Sequence, residues 1–100
     1  MRRAEAIRIL QHHADDLRRA GVAHISLFGS VARDNAAPDS DVDLVVETTP
    51  DRPLTLFTIG PMHDLLSALL GRPVDVIDKL GFDRAKRLQR RTAGELVHVF

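Results

Sequence analysis

The sequence predicts one α/β (α+β) domain covering residues 1–100. Three observations predict it. Apolar residues step by three and four in the first segment and again past the middle. Short apolar runs bounded by glycine or proline lie between those segments. The two patterns alternate in the order α-β-α-β-α-β-α-β. No repeat, low-complexity tract or linker interrupts this order. A chain of 100 residues buries roughly two-thirds of the surface it exposes when unfolded, enough for one core without staples.

The elements follow in order. Ile7, Leu10, Ala14 and Leu17 form one face of an amphipathic helix, which Gly21 closes. Val22 to Phe28 is a short apolar strand between Gly21 and Gly29. Ser30 to Arg33 starts a short helix, and Asn35 to Ser40 is loop chemistry. Asp41 to Glu47 is the second strand, with Val42, Leu44 and Val46 on one face and Asp41, Asp43, Val45 and Glu47 on the other. Thr48 to Arg52 is a turn. Pro53 to Leu70 is helical overall, with a kink or fresh start at Gly60-Pro61, because Pro61 cannot donate to the preceding turn. Gly71 ends it. Pro73 to Ile77 is the third strand, Phe82 to Arg91 a basic amphipathic helix, and Leu96 to Phe100 a last strand.

Composition excludes several classes. There is no cysteine, hence no disulfide framework and no thiolate metal site, which fits a reducing cytoplasm. The N-terminus does not read as a signal peptide, since Arg8, Gln11, His12 and His13 break its apolar stretch, and no apolar run is long enough to span a bilayer. Fourteen Lys and Arg balance fourteen Asp and Glu, and there is neither Trp nor Tyr. Nucleic acid as a main partner is therefore disfavoured, because it calls for a basic excess and for aromatic stacking platforms.

The informative stretch is Gly29-Ser30-Val31-Ala32-Arg33, then a loop, then Ser40-Asp41-Val42-Asp43-Leu44. Gly29 sits where a strand turns into a helix, and a residue without Cβ lets a ligand approach the backbone. Free N–H groups at a helix start suit an anionic phosphate, and the Ser30 hydroxyl can add a bond. A plain β-to-α turn accounts for Gly-Ser equally well when it is taken alone. Asp41 and Asp43, two apart in a strand, project from one face with Cα atoms about 6–7 Å apart, close enough to share divalent cations. Asp75, between Val74 and Val76, is a carboxylate among strand apolars, costly to bury unless paired or metal-bound. If its strand neighbours that of Asp41, all three carboxylates can converge. The plain alternatives are a solvated pair at a strand end and an exposed Asp on an open sheet face.

In order and spacing, these pieces resemble the G-S-x-A-R-G…S-D-x-D-L signature of the nucleotidyltransferase superfamily, and most of all its minimal nucleotidyltransferase (MNT) domain proteins. Leu70-Gly71-Arg72-Pro73-Val74-Asp75 is similar to the segment that carries their third Asp. The resemblance covers nearly the whole chain. It implies the nucleotidyltransferase fold, a small mixed β-sheet flanked by helices. It also implies transfer of a nucleoside monophosphate, AMP from ATP, to a hydroxyl, with Mg²⁺ (two ions) held by Asp41, Asp43 and Asp75. Gly29 and Ser30 would hold the β- and γ-phosphates. Arg33 would contact the triphosphate or pair with a nearby carboxylate, the latter being favoured. One departure is Asp34, where the family has Gly; its charge would weaken triphosphate binding or point to solvent.

Proteins of this kind commonly pair with a HEPN-domain toxin as its antitoxin, and some transfer AMP to a tyrosine of that partner. The resemblance thus implies a HEPN toxin partner, a hetero-oligomer and a cytoplasmic location. Because this chain has no Tyr, a tyrosine acceptor must lie in another molecule. The competing reading is a non-catalytic antitoxin that neutralises its partner by steric contact. Arg84, Lys86, Arg87, Arg90 and Arg91 read as the solvated face of a terminal helix rather than as a partner site. His12-His13 read as exposed helix surface, and His24 and His98 as outward-facing strand positions.

Overall fold

The computed structural model describes residues 1–89 and 96–100, with side chains outside 86–95. The elements are α1 (Arg3–His12), α2 (Ala14–Arg19), β1 (Val22–Phe28), α3 (Gly29–Ala32), β2 (Val42–Thr48), α4 (Ile59–Leu70), β3 (Val74–Asp78), α5 (Lys79–Gln89) and β4 (Val97–His98). The strands form one mixed sheet in the order β3-β2-β1-β4. β1 pairs antiparallel with β2 and β4, while β2 and β3 run parallel, joined by the α4 crossover. This is the expected α+β architecture.

Period two decides the faces. Ile25, Leu27, Val42, Leu44, Val46 and Val74 are buried on one side, together with Ala6, Leu10 and Leu17 of the N-terminal helices and Met62, Leu66 and Leu70 of α4. The other side carries Ser26, Phe28, Asp43, Val45, Asp75 and Ile77, and α5 returns across part of it. There the rings of Phe28 and Phe82 meet edge-on, with centroids 5.2 Å apart. Among the described residues no helix is long and apolar enough to cross a membrane.

Four expectations need correction. The first helix is two, because His13 leaves helical geometry (φ −103°, ψ 15°). His13 is consequently half-buried rather than helix surface. Residues 53–58 are not helical. Thr55 and Thr58 bond one another's backbone and side chains there, and α4 starts afresh at Ile59. Pro61 then falls in the first helical turn, where no N–H is required. The fourth correction is that α5 begins at Lys79, ahead of Gly81, helped by Lys79 Nζ bonding both oxygens of Asp83 one turn on at 2.7 Å. Gly71 closes α4 as expected, in the left-handed conformation (φ 65°). Of the basic run, Arg84 is exposed; the side chains of Lys86 and Arg87, and residues Arg90 and Arg91, lie outside the described set.

Candidate active site

The site is built where β1 ends. Phe28 is the register partner of Asp43 on β2, and Asp43 is the register partner of Asp75 on β3. Partners in register share a face, so the sheet itself sets Asp43 and Asp75 side by side. Asp41 lies one residue before β2 begins and is exposed, as is Asp75.

Asp43 is half-buried, and its carboxyl is pushed above the usual carboxylate range. Desolvation is the main cause, followed by the negative charges of Asp75 and then Asp41; the charge of Arg33 pulls the other way. Asp41 and Asp75 are therefore both close enough to act on Asp43. Among the described residues no trio of His, Asp or Glu side chains is drawn up into chelating geometry. The donor set nonetheless fits a hard divalent cation. It is all oxygen, uncompensated, and centred on a desolvated carboxylate that a nearby positive charge would relieve.

Gly29 opens α3 with φ 72°, a left-handed backbone that any other L-residue adopts with strain. A Cβ added there would strike Oδ2 of Asp43 and lie 3.3 Å from its Cγ. Two requirements thus converge on glycine: the turn itself and the closeness of the carboxylate. A single-turn helix leaves its first N–H groups without intrahelical acceptors, and they belong to Gly29 and Ser30 and their successors, adjacent to Asp43. Arg33 is exposed and makes no ion pair among the described residues, so the favoured pairing with a carboxylate is not formed. Its charge reaches Asp43 at longer range.

Asp34 does not face this turn. It too has a positive φ (60°), which is why glycine suits the position. Its Oδ1 accepts a 3.0 Å bond from the Arg3 N–H at the start of α1, and its Oδ2 accepts one from Arg2 at 3.2 Å. These contacts, the Arg3 N–H first, hold its carboxyl below the usual range. The extra charge serves the N-terminus of α1.

Sequence reasoning missed two contributors. Arg72 donates from Nη2 to the carbonyl of Ser40 at 3.2 Å, tying β3 to the segment that delivers Asp41, while its Nε is buried without a partner among the described residues. Its place next to Gly71-Pro73 was visible but its direction was not. Phe28 is the register neighbour of Asp43, and only the packing of α5 brings Phe82 against Phe28. A cavity of about 530 Å³ lies between the segment after β2 and α4 and is lined by Leu54, Met62 and Leu65 among others; it contains none of these site residues.

Residues 10–97 match the family model for the nucleotidyltransferase domain. The chain is 42% identical over 72 residues, 71% of either protein, to the protein adenylyltransferase MntA of Thermococcus cleftensis. It is 35% identical over 94 residues, 91% of either protein, to MJ0128 of Methanocaldococcus jannaschii, a candidate protein adenylyltransferase. Among solved structures, a candidate minimal nucleotidyltransferase superposes with TM-score 0.71 at 34% identity, covering 97% of this chain and 95% of the other. A chain from a toxin–antitoxin structure with AMP-PNP superposes with TM-score 0.64 at 17% identity, covering 100% of this chain and 73% of the other, and shares the fold.

Proposed function

The chain belongs to the nucleotidyltransferase domain family, and from that premise we propose that it is an AMP-transferring enzyme acting on a hydroxyl of a partner protein, a tyrosine of a HEPN-type toxin, and so an antitoxin. The observation that carries the reading is Asp43, in register with Asp75 and in contact range of the Gly29 turn. The name of the Thermococcus cleftensis relative supports protein adenylylation. The toxin–antitoxin neighbour with AMP-PNP supports a partner and an adenine nucleotide. A cysteine-free chain suits the cytoplasm.

In this mechanism Asp41, Asp43 and Asp75 would hold Mg²⁺, which supplies charge neutralisation and polarisation of phosphate oxygens. The backbone N–H groups of the Gly29-Ser30 turn and the Ser30 hydroxyl hold the β- and γ-phosphates, and Arg33 adds positive charge at the rim. The acceptor oxygen forms a bond to the α-phosphorus. The bond from that phosphorus to the bridging oxygen breaks, and pyrophosphate leaves. The hydroxyl proton passes to Asp75. Because Gly29 and Ser30 are fixed to the end of β1 and Asp75 to β3, the groups that position both ends of the reaction stand on strands of one sheet.

Steric neutralisation without catalysis draws its support from Asp34 beside the phosphate turn, and Arg2 and Arg3 hold that carboxylate elsewhere. Incubation with α-labelled ATP, Mg²⁺ and the product of the neighbouring gene is expected to label the partner, and Asp43→Ala to abolish labelling. Equal labelling by Asp43→Ala would reject the proposal, as would no labelling by the native chain.

A further inference from the structure

The cavity between the segment after β2 and α4 holds about 530 Å³, and much of its wall is apolar: Pro53, Leu54, Pro61, Met62 and Leu65. The same segment carries Leu56 and Phe57, which are 93% and 89% exposed. We propose that this face joins two copies of the chain about a two-fold axis, with Leu56 and Phe57 of each copy entering the cavity of the other. The inference stands apart from the transfer reaction, since none of Gly29, Ser30, Asp41, Asp43 and Asp75 lines the cavity.

The segment is built to hold its tip in one shape. The Thr55 N–H donates to Oγ1 of Thr58 at 2.8 Å, and the Thr58 hydroxyl donates to the Pro53 carbonyl at 3.2 Å. The Phe57 N–H donates to Oγ1 of Thr55 at 3.1 Å. The Ile59 N–H donates to the Thr55 carbonyl at 2.9 Å and ties the loop to the start of α4. Pro53 and Pro61 stiffen either end. These bonds satisfy the polar groups within the loop, and the side chains left at its tip are apolar. Of the four exposed large apolar side chains among the described residues, Leu56, Phe57 and Ile59 all fall in this stretch, unlike the scattered single exposures of an ordinary surface. A tip already fixed loses little conformational freedom on docking.

A second copy is the occupant that knob and hole together specify. In a two-fold contact each surface must be its own complement. Here Thr55 and Thr58 line the hole and bracket the knob in sequence, so an axis beside the loop brings each knob to the other copy's hole. The exposure of Leu56 and Phe57 shows that the chain does not fill its own hole. The sizes agree. A cavity of about 150 Å³ holds one benzene ring, so 530 Å³ takes the Phe57 ring with the Leu56 side chain. Two knobs and the walls they cover bury on the order of 1,000 Å², the lower bound for a specific contact. The dimer is therefore a weak one. Charge permits it: Asp51 and Arg52, of opposite sign, stand exposed at the cavity, and the chain as a whole is neutral, so like faces meet without net repulsion. A lipid surface calls for a basic cluster, whereas this wall carries Asp51 and an Arg52 already bonded to the Arg19 carbonyl.

Sedimentation equilibrium of the full chain, from about 1 μM to about 1 mM, the range of weak association, is expected to show monomer passing to dimer. Phe57→Asp is expected to weaken the dimer about a hundredfold, because the two-fold axis counts the lost knob twice. Its melting temperature at low concentration should stay within about 4 °C of the native value, as for other exposed positions. A mixed sample of unlabelled chain and chain labelled at the methionine methyls is expected to give an intermolecular NOE from an aromatic ring to the Met62 methyl. Phe57→Leu, which keeps an apolar knob, should lose that NOE and still dimerise. A chain that stays monomeric throughout overturns the inference. So does a dimer that Phe57→Asp leaves intact, or one without the Met62 NOE. A monomer whose binding to the toxin partner is lost in Phe57→Asp also overturns it, and assigns the face to that partner.

Discussion

Gly29→Ala separates the two demands placed on that residue. The first is conformational: at φ 72° an alanine adopts a left-handed backbone, at a cost of about 1–2 kcal/mol. For a domain of this size each kcal/mol moves the melting temperature by about 4–8 °C, so backbone strain alone lowers Tm by about 4–16 °C. The second demand is steric, since the new Cβ drives against the carboxylate of Asp43. A double-mutant cycle isolates it. In an Asp43→Ala background the obstructing oxygens are gone, so Gly29→Ala costs only its backbone part. Contacting residues couple by about 0.5–3 kcal/mol, and the coupling here is expected within that range. The assay is thermal unfolding of the four proteins in chelator at one pH, with nucleotide transfer measured on Gly29→Ala alone. Transfer is expected to fall further than stability explains, because the displaced carboxylate is the central one. Equal Tm losses in the two backgrounds would refute the steric argument, and a loss under about 2 °C would refute the conformational one.

The remaining predictions concern charge and position. The carboxyl of Asp43 titrates above its usual value in the fold, so the native state holds its proton more tightly than the unfolded chain, and stability falls as pH rises above 3.8 toward the native value. Asp43→Asn is therefore expected to raise Tm at pH 7 in chelator and to abolish any rise that Mg²⁺ gives the native protein; a lower Tm in chelator would contradict this. Asp34 has the opposite sign, since its depressed native value makes its contribution present above 3.8 and lost as pH falls below it. Asp34→Asn should lower Tm at pH 7 by more than at pH 2.5, which melts at the two values check. Asp34→Ala should be less stable than Asp34→Gly, because both lose the Arg3 contact but only alanine keeps the strain of φ 60°; near-native labelling of the partner by Asp34→Gly is expected. Arg72→Ala frees the Ser40 carbonyl and also removes a buried unpaired Nε. It should weaken Mg²⁺ affinity, read as the midpoint of the Mg²⁺-dependent Tm rise, more than it lowers Tm in chelator.

Local signals were legible in the sequence. The alternation from Asp41 to Glu47 put Asp43 opposite Leu44, and Gly29 and Gly71 marked real left-handed positions, because these depend on neighbours a few residues away. Non-local facts were not. The pairing of Asp43 with Asp75 depends on strand order and register across the crossover from Thr48 to Val74, and the sequence could only make it conditional. Nothing near Asp34 announces that Arg2 and Arg3, thirty-odd positions earlier, take its carboxylate. The break at His13 has no proline or glycine to signal it, and the apolar stripe runs straight through. Leu56 and Phe57, in the non-helical stretch before α4, are almost fully exposed, so no packing holds residues 53–58 as a helix face.

Asp43 itself shows why the site stands where it does. It occupies the middle of a row between an aromatic residue on β1 and a second carboxylate on β3, and it is half-buried there. Stability alone would favour an apolar or amide side chain at that position, since burial and two neighbouring charges all oppose ionisation. A fold normally offsets such a cost with an ion pair, yet among the described residues Arg33 acts on Asp43 only through its charge at longer range. The closeness of Asp43 and Asp75 is thus built into the sheet register. If the proposed Mg²⁺-bound nucleotide is the substrate, its charge corrects the deficit; the price of waiting for it is a less stable resting state.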